Sequence, residues 1–166
     1  MKRIAIAFFA FVLAGASVGA ARAADTASSA GQSVVRAGTQ ASAKGPEAWF
    51  TGTVRIDPLF PDNAAANVSG AYVTFEPGAR SAWHEHPAGQ TLVVISGVGL
   101  TGTSDGKVVE IRAGDVVRCP PNVRHWHGAA PHVAMTHMAL TGVKDGKNAV
   151  WHEKVSDAEY SRPVSR

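Results

Sequence analysis

The stretch WHEHPAGQTLVVISG, residues 83–97, decides the fold. It joins two textures: a polar, turn-rich start carrying His84, His86 and Gln90 around Pro87 and Gly89, and the head of an apolar run, QTLVVISGVGLTGT, that reaches Thr103. Side chains alternate faces along an extended strand, so two histidines placed two residues apart project together. The run after them suits a pleated, half-buried surface. A strand is therefore expected here, with paired imidazoles at its approach.

Working outward, the same texture recurs from Trp49 onward. FTGTVRIDPLF, GAYVTFEPG, KVVEIRAGDVVRCPP, HWHGAA and HVAMTHMALTG are rich in Val, Ile, Thr and aromatics, with Gly, Pro, Asp and Asn between them. This pattern predicts an antiparallel all-β chain, a sandwich or barrel. SDGK (104–107) and KDGK (144–147) hold Asp-Gly pairs, the preferred two-residue hairpin turn. Only the end has helical character: Ser156 caps a short turn with Glu159 at the capping-box spacing. Residues 24–44 are small and polar and read as a flexible leader, with a first edge strand expected at Ser33 to Arg36. The barrel is expected over 45–155 and a tail over 156–166.

The first 23 residues have a basic start, an apolar run from Ile4 to Val18, and a small-x-small end at Ala21–Ala23, which predicts a secretory signal peptide and a periplasmic product. The apolar run is too short for a spanning helix, so no membrane association is expected after cleavage. Of 16 basic residues, Lys2, Arg3 and Arg22 fall in this segment, leaving 13 against 13 acidic ones. No basic cluster remains to suggest a nucleic-acid partner. The one cysteine, Cys119, has no internal disulfide partner and reads as a small buried hydrophobe.

Seven histidines occur, and four form two His-x-His pairs, His84/His86 and His125/His127. His132, beside a proline in a turn, and His152 read as structural. Burying four imidazoles without partners would cost several kcal/mol. A metal ion gives them one. Imidazoles without thiolates suit zinc, copper, iron or nickel, and a carbonyl oxygen from Gln90 moves the site toward octahedral manganese or iron(II). Three nitrogens and one amide oxygen leave two positions open, which points to catalysis over structural plugging.

Gly78, His84, His86, Gln90 and Gly97 resemble the first cupin motif in spacing, and Gly114, Pro120 and His125 the second. Gln90 replaces the usual glutamate, Ala129 stands where an asparagine often ends the motif, and Asn122 replaces a glycine, whose left-handed turn conformation asparagine also adopts. Across residues 41–153 the chain is similar to the small manganese-dependent bacterial cupins that act as hydroxynitrile lyases. The resemblance implies a double-stranded β-helix, the jelly-roll barrel, assembled as a homodimer or homotetramer. It implies metal ligands at His84, His86, Gln90 and His125. One divalent ion is expected, manganese first, with iron, zinc, nickel and cobalt as alternatives.

On that reading His127 shares a face with His125, and Trp126 between them points into core. Alternation puts Met135, His137, Ala139 and Thr141 on one face, and Ala71, Val73 and Phe75 on another single face. A small, apolar substrate pocket lined by Ala71, Val73, Phe75 and Thr141 follows, with His127 and His137 as catalytic groups titrating near ~6.5. The implied reaction is reversible cleavage of a small cyanohydrin such as mandelonitrile. Gln in place of Glu leaves the ion its full double charge as a Lewis acid. Where the lyase-like relatives have a glutamine this chain has Thr141, which widens the pocket and removes an amide arm. The alternatives are a cupin dioxygenase using iron, or another metal-dependent enzyme, and a non-catalytic module that binds a small metabolite.

Overall fold

The computed structural model describes residues 31–63 and 65–165, so the export segment and residues 24–30 of the leader lie outside the described residues. In chain order the strands are β1 (Ala43–Lys44), β2 (Phe50–Thr51), β3 (Val54–Phe60), β4 (Val68–Phe75), β5 (Arg80–Ser81) and β6 (His84–Glu85). There follow β7 (Gln90–Thr103), β8 (Val108–Arg112), β9 (Val116–Cys119), β10 (His125–Ala129), β11 (Met135–Gly142) and β12 (Val150–Trp151), then the single helical turn α1 (Asp157–Tyr160).

Two antiparallel sheets share β7. Its first half pairs with β9 on one side and β11 on the other, and β4, β3 and β1 continue that sheet. Its second half pairs with β8 and β10, whose far side carries β5 and β6, flanked by β2 and β12. The curled sheets enclose a core of Phe50, Val73, Phe75, Leu92, Val94, Ile111, Ala129 and Met135. This is the jelly-roll architecture expected from the sequence.

Gly97 makes the change of sheet feasible. Its φ is +79°, and a Cβ there would lie 1.8 Å from the Ala134 carbonyl oxygen, so only glycine fits. Just before it Thr136 pairs with Ser96 but His137 with Val94, leaving Ile95 as the extra residue of a bulge.

The turns separate the two Asp-Gly pairs. Asp145 and Gly146 both have positive φ and Lys144 pairs with Lys147, the expected two-residue turn. At residues 104–106 only Gly106 has positive φ, and Thr103 bonds Lys107 across a three-residue loop. Thr103 explains this correction, because its hydroxyl and the Lys107 N–H both bond the Asp105 carboxylate and hold a wider turn. Asn122 takes the left-handed conformation, φ 60°, in the glycine's place.

The edge strand expected at Ser33–Arg36 is not formed. Val34 and Val35 are exposed and pair with no strand among the described residues, and the first ladder is β1, held to β3 where Gly45 N–H bonds the Val54 carbonyl. The chain's end is fastened behind the second sheet. Trp126 packs there with Trp83, Leu100, Val108, Val155 and Tyr160, so it does face core, opposite its neighbouring histidines. Ser156 and Glu159 form the expected capping box of α1.

Candidate metal centre

β6 and β10 are antiparallel neighbours with His84 directly opposite His125. Their imidazole centroids lie 4.3 Å apart, and His86 lies 5.0 Å from His84 and 5.4 Å from His125. Gln90 begins β7, and its Oε1 lies 3.4 Å from His125 Nε2. The backbone fixes these rings in one sense. Nδ1 of His84 donates to the Ala82 carbonyl at 2.9 Å, Nδ1 of His125 to Val123 at 2.8 Å, and Nδ1 of His86 to Asn148. A proton on Nδ1 leaves Nε2 as a bare lone pair, the form that ligates metal.

The consequence is a set of acceptors without donors. His86 Nε2 is buried and makes no hydrogen bond, while His125 Nε2 and Gln90 Oε1 confront each other lone pair to lone pair. Such an arrangement is unfavourable in a dry site unless a cation lies among the acceptors, so these residues fit a divalent ion. By distance alone the tightest group is His84, His125 and His127, one ring nitrogen from each lying within 4.8 Å of the others. Three buried histidines are thus placed to hold a metal ion. His127 differs from the other two in its anchor, since its Nδ1 meets His137 Nε2 at 3.0 Å instead of a backbone carbonyl. His127 Nε2 and His137 Nδ1 are buried without partners.

Burial lowers all five imidazole pKa values. His84, beside His125, and His127, beside His137, are held well below the usual value, His86 lies below it, His125 falls to about 4 and His137 to about 3. All are therefore neutral at pH 7, and an incoming cation displaces no proton. The expectation that His127 and His137 titrate near ~6.5 does not hold, because burial of both rings penalises their charged form.

A cavity of about 500 Å³ opens over the cluster, lined by His84, His86, Gln90, His127 and His137. Ala71, Val73 and Thr141 line it as expected. Phe75 does not: it is fully buried, with His127 and His137 packed against its ring at 5.7 and 5.5 Å. The pocket is also larger than the strands alone suggested. Trp151 stacks on His84 at 4.7 Å and Trp49 on Trp151 at 5.0 Å, building an aromatic wall outward. Phe60, Asn148 and Gln40 complete the mouth. Of these, Trp151 and Asn148 come from the segment paired to β6, which no local pattern connects to the histidines. Cys119 is buried, its thiol pushed up to about 11, as befits a packing residue. His132 is exposed, and neither it nor His152 lines the cavity.

The cupin domain model matches residues 71–138, the span from β4 through β11. The chain is 57% identical over 129 residues, 78% of its own length and 98% of the relative's, to a protein of Granulicella tundricola named (R)-mandelonitrile lyase. The chain belongs to the cupin family. Among solved structures, this cupin is 40% identical to a cupin-like protein of Thermotoga maritima, covering 70% of this chain and 89% of that one at a TM-score of 0.67. It also matches the polyketide cyclase RemF of Streptomyces resistomycificus at a TM-score of 0.62 and 14% identity, covering 78% of this cupin and 90% of that chain. That second likeness is one of fold alone, since the same barrel hosts different chemistry.

Proposed function

We propose that this cupin is a metal-dependent hydroxynitrile lyase, cleaving a small cyanohydrin such as mandelonitrile into an aldehyde and hydrogen cyanide. The observation that carries the reading is the cluster of Nδ1-anchored imidazoles, His84, His86 and His125, that lies with Gln90 Oε1 beside an apolar cavity. The 57% identical relative named (R)-mandelonitrile lyase supports the choice of reaction. His84, His86, His125 and Gln90 would hold the ion, manganese first, because a backbone-anchored imidazole is a prepared ligand and His127 lacks that anchor. When bound, the ion supplies a Lewis acid that makes a nearby hydroxyl more acidic.

His127 and His137 do the proton work. They start neutral and linked at 3.0 Å, with His127 Nε2 and His137 Nδ1 buried and unpartnered among the described residues. As the hydroxyl proton passes to this pair, the O–H electrons become the C=O bond and the C–C pair departs with cyanide. The negative charge on the leaving cyanide favours a protonated imidazole beside it, which offsets the low affinity that burial imposes. The proton then goes to cyanide, and the pair is neutral again. Ala71, Val73 and Ala139 seat the alkyl or aryl group against an apolar wall that keeps water out.

Metal-loaded protein is expected to release benzaldehyde from mandelonitrile at the same rate with and without dioxygen. His127→Ala and His137→Ala should each lower kcat/KM by about 10²–10⁴-fold. No release above the metal-free control would overturn the reading, and a requirement for dioxygen would favour an oxygenase instead. We further propose export to the periplasm, tested by fractionation and an N-terminus at Ala24. Assembly into a dimer or tetramer is proposed as well. Tyr72, Met138, Val93 and Val116 form an apolar row across β4, β11, β7 and β9 that supports it, and light scattering tests it.

A further inference from the structure

Gln90 and Thr141 lie directly opposite each other in the β7–β11 register. Both are buried, and Gln90 Nε2 donates to Thr141 Oγ1 at 3.1 Å. A primary amide has two ends of nearly identical shape and opposite chemistry: an oxygen with lone pairs for a cation, and an NH2 group with two donors and nothing to give one. A cation at the Nε2 lone pairs calls for the oxygen inward, and the NH2 end then needs an acceptor behind it. Here the hydroxyl oxygen of Thr141 accepts from the NH2 end, and Oε1 turns toward His125 Nε2.

Thr141 is well suited to hold that orientation. A β-branched side chain on a strand is stiff at χ1, and β11 is flanked on both sides, with Thr141 paired to Gln90 in β7 and to Ser69 in β4. The oxygen is fixed to the ladder and not to a flexible arm. Reversing the amide would aim its donors at a cation held among the imidazoles, so in the loaded site the Thr141 oxygen is the acceptor that the outward NH2 end needs.

We propose that Thr141 is a positioning residue: its hydroxyl orients the Gln90 amide, carbonyl inward, and thereby sets the affinity of the histidine cluster for a divalent cation. The proposal rests on the reading of Gln90 as a ligand. It gives Thr141 a task beyond forming the pocket wall, and one a longer side chain at this position would perform differently.

The test is Mn²⁺ binding to metal-stripped full-length protein, followed by the electron paramagnetic resonance signal of free Mn²⁺, with no substrate present. Thr141→Val keeps the shape and removes the acceptor, and should weaken binding about tenfold or more, the usual effect of losing a group that orients a ligand. Thr141→Ser, which keeps the oxygen, should bind as wild type. Wild-type affinity in Thr141→Val overturns the proposal, as does a loss in Thr141→Ser equal to that in Thr141→Val, which would mark a merely structural role. Wild-type affinity in Gln90→Ala overturns the ligand reading on which the proposal stands. No Mn²⁺ uptake by wild-type protein overturns both.

Discussion

β10 carries two chemistries on its two faces. Inward, His125 and His127 join His84, His86 and His137, and the polar atoms there are left unpaired: His86 Nε2, His127 Nε2 and His137 Nδ1. Outward, Trp126 joins the fastening of the C-terminal segment, where the polar groups are met. Tyr160 Oη donates to the Ala129 carbonyl at 2.7 Å, Trp83 Nε1 to Glu159 at 3.3 Å, and Arg80 Nε and Nη2 to the Val155 carbonyl at 3.2 and 3.1 Å, with the guanidinium 4.7 Å over the Tyr160 ring. A buried polar group normally finds a partner because leaving it bare costs free energy. The clamp obeys that rule and holds structure, whereas the imidazole face departs from it where a ligand is required. Of the five unpaired buried side-chain atoms among the described residues, the two outside this face, Arg124 Nε and His152 Nε2, line no part of the cavity.

Substitutions that exchange the two behaviours should separate activity from stability. The largest effect is expected on the inward face. His84→Ala should abolish metal retention and lower cyanohydrin cleavage more than about 10³-fold. It should lower the metal-free melting temperature only modestly, through loss of the bond to the Ala82 carbonyl and of the stack on Trp151. Thermal melts of the stripped protein beside a kinetic assay read both quantities. Tyr160→Phe on the outward face should do the reverse. Losing the buried bond to Ala129 should cost about 1–3 kcal/mol in denaturant unfolding, with kcat/KM within about twofold of wild type.

The faces also differ in their response to acid. The inward imidazoles are neutral when folded but take up protons near ~6.5 when unfolded. Their contribution is therefore intact above that pH and is lost as pH falls toward the folded values, about 4 for His125 and about 3 for His137. Stability of the metal-free protein should decline between about pH 6.5 and 4, by about 1.4 kcal/mol per pH unit for each imidazole that stays neutral. Replacing His137 with a non-titrating residue of similar size, as in His137→Gln, should flatten this slope, while Tyr160→Phe should shift the curve down without changing its shape. The smallest effect is expected from Ser156→Ala. It removes the cap of the turn that carries Tyr160 and should cost about 0.5–1 kcal/mol with no change in activity.

Much of this contrast was legible in the sequence. Period-two alternation separates His125 and His127 from Trp126, and Met135, His137, Ala139 and Thr141 from Met138 and Leu140, because strand geometry makes facing a matter of counting. The Asn122 turn was legible for a similar reason, being a local backbone demand. What escaped depends on partners distant in sequence. Trp151 reaches His84 through the β6–β12 pairing, and the bond between Gln90 and Thr141 exists only because the register aligns two residues 51 apart. The imidazole pKa values escaped because depth of burial is not written in any local pattern. Val34 and Val35 have strand propensity, but they stay exposed outside any ladder.

The central claim is that the inward face is a divalent-metal centre, and elemental analysis before and after chelation tests it most directly. Wild-type protein should carry one divalent ion per chain, lose it with its mandelonitrile cleavage on chelation, and recover both with Mn²⁺, while His84→Ala carries none. A stripped protein that still cleaves at the full rate, or a folded wild type that takes up no ion at all, would contradict the account.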